Sequence, residues 1–262
     1  MQRLEQMTWE EIRAAAAAGA VCVLPTGSIE QHGPHLPVRT DTALVSGVAE
    51  AAVAALPGDV AAVLAPTLWL GASHHHLPFF ALSIDERTYV DVLAQIGECI
   101  AQAGFNRLFI LNGHGGNSAP LKLAVNAINR KHPDCLVATS EYWAIAAAGV
   151  REHRTSGPGG CAHAGEFETS LMLHLATGEV RREKIRAAVP KLPRTYVRDL
   201  VDGGPITLGI GWERLSPIGT MGDPTLATAE KGERFLRSAA EAVAAAIATL
   251  ARLDAGSLAA DV

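Results

Sequence analysis

Four short apolar runs, set between helix-forming stretches, constrain this 262-residue chain more than any other feature. They cover residues 21–24, 60–64, 107–111 and 136–139, and Pro or Gly follows the first three within a few positions. Runs that are apolar throughout, without alternation, suit strands buried on both faces of a sheet. The stretches between them carry helix signals. Thr8-Trp-Glu-Glu11 is a capping box opening a helix that ends near Gly19, and a second helix runs from Asp41 to Leu56, where Pro57-Gly58 stops it. Ser83-Ile-Asp-Glu86 starts a third, closed by Gly104, and a fourth spans residues 120–131. Alternating strand and helix predicts one α/β domain over residues 1–262 with a mostly parallel central sheet. Residues 151–160, polar and rich in Gly and Pro, read as an open, mobile loop. Residues 190–218 read as short strands and turns, and the Ala-rich residues 228–253, with apolar spacing of three and four, as a long packing helix.

Composition narrows the function classes. Apolar residues make up 48% of the chain and charged ones 19%, so a packed core is available and disorder is not expected. A net charge of −5 with no basic run argues against nucleic acid as a partner. The Ala15–Ala18 tract follows Glu10 and Glu11 too closely to leave an apolar span of ~20 residues, so no membrane association is expected. Met1-Gln-Arg-Leu-Glu-Gln precedes no apolar signal segment. Cys22, Cys99, Cys135 and Cys161 are scattered without zinc-knuckle spacing and read as reduced thiols of a cytoplasmic protein.

Chemistry concentrates in three places. After the first apolar run, Glu30, His32, His35 and Asp41 fall within a dozen residues of a Gly- and Pro-rich loop. Carboxylates and imidazoles are the usual donors to Zn²⁺, Mn²⁺ or Fe²⁺, and a Glu-x-His pair in extended backbone points both side chains to one side. The third run empties into Asn112-Gly-His114-Gly-Gly-Asn117, whose glycines let backbone approach a site closely. His163-Ala-Gly-Glu166-Phe-Glu168 is expected to open a helix, with His163 and Glu166 in its first turn. Ligands of open α/β sheets bind beyond the carboxyl ends of the strands, where the first two of these loops lie. Five donors, Glu30, His32, Asp41, His114 and Glu166, exceed the need of one tetrahedral ion with an open position, so up to two divalent metal ions are expected. His74, His75 and His76 are consecutive and cannot all converge on one point. His76 is assigned to the substrate side.

Gly27-Ser-Ile-Glu-Gln-His-Gly-Pro-His-Leu-Pro, Thr40-Asp41, Asn112-Gly-His-Gly-Gly-Asn and His163-Ala-Gly-Glu-Phe-Glu-Thr-Ser together resemble the creatininase (creatinine amidohydrolase) family. The similarity runs from about residue 8 to Gly222-Asp-Pro and Ala229-Glu-Lys-Gly. It implies a three-layer α/β/α fold, a homo-oligomer (a hexamer), and a pair of divalent ions, zinc, manganese or iron. In that pattern Asp41 bridges the ions, Glu30 and His114 hold one, and His32 holds the other. His163 matches the family's catalytic histidine, and Trp143 an aromatic lining the substrate pocket.

The chain also departs from creatininase itself. An acidic ligand two residues after the His of Asn-Gly-His is replaced by Gly116, and Glu166 stands where that enzyme has Val, so the carboxylate is expected to have moved to Glu166. A second pocket Trp corresponds to Gly159, and Phe79-Phe80-Ala81-Leu82 replaces a Phe-Pro-Gly-Thr. Other branches, a formylamino-pyrimidine deformylase and a mycofactocin-peptide peptidase, are similar in the Gly-Gly-Asn form. The expected function is a metal-dependent hydrolase of a linear or cyclic amide other than creatinine, one larger and anionic, with Arg39 pairing its anion. The alternatives are a ring-opening hydrolase acting on an ester or carbon–carbon bond, a deformylase or peptidase, and a non-catalytic metal-binding scaffold.

Overall fold

The structure, a computed structural model, describes residues 1–254. Its strands are β1 (Gln2–Arg3), β2 (Val21–Thr26), β3 (Ile29–Glu30), β4 (Ala62–Leu64), β5 (Ala81–Leu82), β6 (Arg107–Asn112), β7 (Leu136–Glu141), β8 (Cys161–His163) and β9 (Met221–Gly222). Its α-helices are α1 (Trp9–Ala17), α2 (Thr40–Ala54), α3 (Glu86–Gln102), α4 (Ser118–Lys131), α5 (Tyr142–Ile145), α6 (Ala147–His153), α7 (Glu166–Leu175), α8 (Trp212–Leu215) and α9 (Ala229–Arg252). Five strands form one parallel sheet in the order β1-β4-β2-β6-β7, and the pairs β3-β5 and β8-β9 are small antiparallel ribbons.

Side chains of successive strand residues point to opposite faces, and the two cores follow that period. Val21 and Val23 of β2 with Phe109 and Leu111 of β6 face α2, α7 and α9. Cys22 and Leu24 with Leu108 and Ile110 face α1, α3 and α4. Both faces are covered, so the central strands are apolar throughout, as parallel sheets require. Helix α1 starts on the expected capping box: the Thr8 hydroxyl accepts from the Glu11 amide at 3.3 Å and the Glu11 carboxylate accepts from the Thr8 amide at 2.7 Å. Helix α9 buries Phe235, Ala239, Val243 and Ile247 along one stripe, four residues apart. The four free cysteines include three buried ones, and Cys99 is exposed. Among the described residues no helix is long and apolar enough to cross a membrane.

Two local expectations are corrected. His163 is not in the first turn of a helix but ends β8, which pairs with β9, and the helix begins at Glu166. Ala164 between them takes a φ of 50°, a conformation an L-residue adopts only at a cost, and this kink turns the strand into the helix. The segment expected to be an open loop at residues 151–160 is helical as far as His153, because Val150 is buried in the core and α6 packs on α9.

Candidate active site

The loops after β2 and β6 and the β8–α7 turn meet at the carboxyl ends of the central strands. Glu30 of β3, His32, Asp41 in the first turn of α2, His114 and Glu168 in the first turn of α7 are all buried there. Asp41 is central. Its Oδ1 lies 3.0 Å from His32 Nε2 and its Oδ2 3.0 Å from His114 Nδ1. Glu30 Oε2 is 3.2 Å from His114 Nδ1, and Glu168 Oε1 is 3.9 Å from His32 Nε2. Among the described residues two donor groups share Asp41, namely Glu30, Asp41 and His114, and His32, Asp41 and Glu168, while Glu30 also stands close to His75 and His76 and to His32 and His163.

Each histidine is oriented by a backbone carbonyl. His32 Nδ1 donates to Glu30 O at 3.2 Å, His114 Nε2 to Ala72 O at 3.1 Å, and His163 Nε2 to Gln31 O at 2.8 Å. A ring nitrogen that donates to a carbonyl leaves the other nitrogen with its lone pair, and that nitrogen faces the carboxylates. Glu30 Oε2, His32 Nε2 and Asp41 Oδ2 are buried and lack a hydrogen-bond partner in good geometry. Buried acceptors without a donor need a cation. Burial opposes charge on His32, yet the Asp41 carboxylate beside it outweighs that and pushes its pKa up to about 10. For His114, burial is likewise overcome, by Glu30 and Asp41. Burial also raises the Glu168 carboxyl to about 7, against the pull of His32. The cluster demands positive charge at its centre, which protons on the histidines supply when no metal is bound. The donor set, carboxylates with imidazoles that become neutral once a metal displaces those protons, fits divalent metal ions.

Glu166 is not in this cluster. Its carboxylate, fully buried, pairs with Lys231 of α9 and accepts from the backbone amides of Thr155 at 2.9 Å and Ser156 at 2.7 Å. Positions 166 and 168 lie about 200° apart around a helix, so only one of the two can face the loops. The kink at Ala164 selects Glu168, whose Oε2 accepts from the Ala164 amide at 2.6 Å. The vacancy at Gly116 has a steric cause. A Cβ there would sit 2.2 Å from Ala72 O and 2.5 Å from His114 Nε2, so this backbone has no room for an acidic side chain.

The other expected residues divide. Trp143 is buried at the wall of a 360 Å³ cavity whose floor is Glu30, Asp41, His114, His163 and Glu168. His76 is buried and lines the same cavity, with Nε2 3.1 Å from Glu30 Oε1 and Nδ1 accepting from Gln31 Nε2 at 2.8 Å. Arg39 faces away. It forms a two-pronged ion pair with Glu179 on the exposed surface, its Nε donating at 2.8 Å, and it is absent from the cavity wall. His35 lies outside both donor groups. Its Nε2 meets Thr169 Oγ1 at 2.9 Å, which ties the loop to α7, and burial holds its pKa down at about 4.

Gln31 and Trp212 were missed in the sequence. Gln31 lies inside the ligand motif, and both its side chain and its carbonyl position histidines. Trp212 comes from a segment with no motif. Its ring packs 4.2 Å from His76 and edge-on to His163 at 5.0 Å, supplying an aromatic wall where Gly159 offers none.

The creatininase family profile, described as creatinine amidohydrolase, matches residues 5–247. This chain belongs to the creatininase family. It is 34% identical to the mycofactocin precursor peptide peptidase of Mycobacterium tuberculosis over 220 residues, 81% of this chain and 78% of that one. It is 29% identical to the creatinine amidohydrolase of Pseudomonas putida, over 92% and 94% of the two chains. Creatininase structures in a manganese form and in a Zn-Zn form each superpose with a TM-score of 0.76 at 27% identity, covering 94% of this chain and 96% of the other. The cluster is thus the candidate active site of a creatininase-family hydrolase.

Proposed function

We propose that this creatininase-family protein is a metal-dependent amidohydrolase that uses a pair of divalent ions, zinc, manganese or iron, to hydrolyse an amide larger than creatinine. One observation carries the reading: the two oxygens of Asp41 face two separate donor groups, each completed by a buried carboxylate and a histidine. Glu30 and His114 would hold one ion, His32 and Glu168 the other, and Asp41 would bridge them. When bound, such ions lower the pKa of water toward neutrality and polarise a carbonyl oxygen. The protein's own residues do the rest. His163, anchored through Nε2 to Gln31 O, keeps Nδ1 3.8 Å from Glu30 Oε1, at the cavity floor. Burial, with His32 and His76 nearby, holds its pKa well below the ordinary value. It therefore stays neutral at rest, with Nδ1 placed to relay a proton to the leaving nitrogen, and a proton held there is readily given up. Trp143 and Trp212 give the substrate apolar faces.

Elemental analysis of protein purified without chelator is expected to find up to two transition-metal ions per chain, and a chelator to abolish turnover of a panel of amides. Metal-free protein with chelator-insensitive activity would sink the proposal, and efficient hydrolysis of creatinine would sink the assignment of a larger substrate. Opening of an ester or carbon–carbon bond with no amide turnover would favour the ring-opening alternative. The free cysteines accord with a cytoplasmic enzyme. We extend the proposal to a homo-oligomer of the family's kind, for which light scattering should give a multiple of 27.5 kDa, and a clean monomer the contrary answer.

A further inference from the structure

A second cavity of 380 Å³ adjoins the first. The two share His75, Ala162, Val197, Leu200, Thr207 and Trp212, so the indole of Trp212 stands between them. The wall of the second is apolar: Leu192, Leu208, Ile210, Leu215 and Met221 line it along with Trp212. It is built almost wholly from residues 190–221. There the isolated bridges Tyr196–Ile206 and Val197–Gly203 fold the chain into a small ribbon over the site.

One charged pair of residues interrupts that wall, Arg198 and Asp199, and only one of the two charges is spent. Asp199 is buried and saturated. Its carboxylate pairs with Arg154 at 3.0 Å and accepts from the amides of Gly159 at 2.7 Å, Val201 at 3.1 Å and Asp202 at 2.6 Å. These bonds pin the ribbon to the loop before β8 and leave Asp199 nothing to offer its neighbour. Arg198 is half-buried at that wall, and its guanidinium has no ion pair or hydrogen bond among the described residues. A guanidinium cannot shed its charge, so an unpaired one at an otherwise apolar wall is suited to receive an anion from the cavity.

We propose that the cavity behind Trp212 is the subsite for the non-reacting end of the substrate, and that it selects an apolar body ending in a carboxylate held by Arg198. The proposal rests on the hydrolase reading for the word substrate, and it deepens that reading by giving the substrate class. It also moves the anion contact from Arg39, engaged with Glu179 on the surface, to the far end of the pocket. An amide filling both cavities places its scissile bond over Asp41 and its apolar, anionic end beyond the indole. Creatinine, small and without a carboxylate, uses neither feature of this second cavity.

Calorimetric titration with 3-phenylpropionate and its neutral alcohol, 3-phenylpropanol, tests this without turnover, since neither probe has a bond to hydrolyse. The wild-type protein is expected to bind the carboxylate about tenfold or more tighter than the alcohol, the size of one charge-assisted hydrogen bond. Arg198→Met should erase that preference while leaving the alcohol's affinity unchanged, and Arg198→Lys should keep part of it. Ile210→Asp, which sets an anion in the same wall, should weaken the carboxylate at least as much, an independent check should Arg198→Met fail to fold. A preference that survives in Arg198→Met locates the anion at the His and carboxylate cluster and overturns the proposal, as does wild-type protein that binds both probes equally. Because binding is read directly, a protein that hydrolyses no amide yet shows the Arg198-dependent preference would sink the hydrolase reading and keep the subsite.

Discussion

Glu168→Gln is expected to lose one of two metal ions and to lower kcat by about 10²-fold or more, whereas Glu166→Gln keeps both ions and most of the activity. The contrast rests on where the two carboxylates point. Glu168 Oε1 faces His32 in the group that shares Asp41, and an amide in its place removes a negative charge and one oxygen donor. Glu166 faces Lys231 on the other side of α7. Its loss should appear as stability instead: breaking a buried charge pair costs about 3 kcal/mol. The pH dependence gives an independent signature. Burial alone would raise the Glu166 carboxyl, but its bonds to Lys231, Ser156 and Thr155 hold it below 4.5. The folded-state pKa is therefore the lower one, so the unfolded chain binds more protons as acid is added. The stabilisation is fully present above about 4.5 and is lost as the pH falls through the folded-state value. Chemical unfolding of wild type and Glu166→Gln should thus differ most near neutrality and converge in acid. Loss of metal from Glu166→Gln, with Glu168→Gln fully loaded, would reverse the assignment.

How much of this was legible beforehand depended on the range of the interactions involved. The parallel sheet was readable because both its faces are buried, which prints an unbroken apolar run such as Val21 to Leu24. Strand β1 was not, since two residues, Gln2 and Arg3, at the sheet's edge carry no pattern. Within the site, Glu30, His32, Asp41 and His114 belong to the segments that leave the carboxyl ends of β2 and β6, where sequence position nearly fixes spatial position. The choice between Glu166 and Glu168 needed the helix phase, which one residue, Ala164 at φ 50°, determines. That φ leaves no trace in the sequence, because Ala is not a residue expected there. Arg39 lies away from the cavity for a related reason. It stands two residues before Asp41, but the first turn of α2 rotates the two apart, and Glu179 from a distant stretch captures the guanidinium. Arg198 belongs to a ribbon held by long-range bonds such as those of Asp199 to Arg154 and Gly159, Trp212 to the short helix α8 that follows it, and nothing local marks either as lining a cavity.

His163→Ala is expected to lower kcat by about 10²–10⁴-fold, the ordinary contribution of a positioned general acid–base group, with KM and metal content little changed. His163 stands near Glu30 and His32, but less closely than the donors around Asp41 stand to one another. Its Nδ1 is 3.8 Å from Glu30 Oε1, while the His32 and His114 nitrogens approach Asp41 at 3.0 Å. Its Nε2 is committed to Gln31 O, so only Nδ1 is free to exchange a proton in the cavity. Gln31 makes that arrangement durable: its own side-chain amide donates to His76 Nδ1 at 2.8 Å and to Gly219 O at 3.2 Å, which locks the residue whose carbonyl holds His163. Trp212 packs edge-on against the ring and limits its rotation. A proton carrier held this way should matter most for substrates whose leaving nitrogen is strongly basic, because those need the proton most at the moment of bond breaking. The loss in His163→Ala is therefore expected to shrink along a series of anilides with increasingly acidic leaving groups. A constant loss across the series, with metal content unchanged, would mean that His163 orients the substrate and transfers no proton. Metal loss from the variant would make it a ligand.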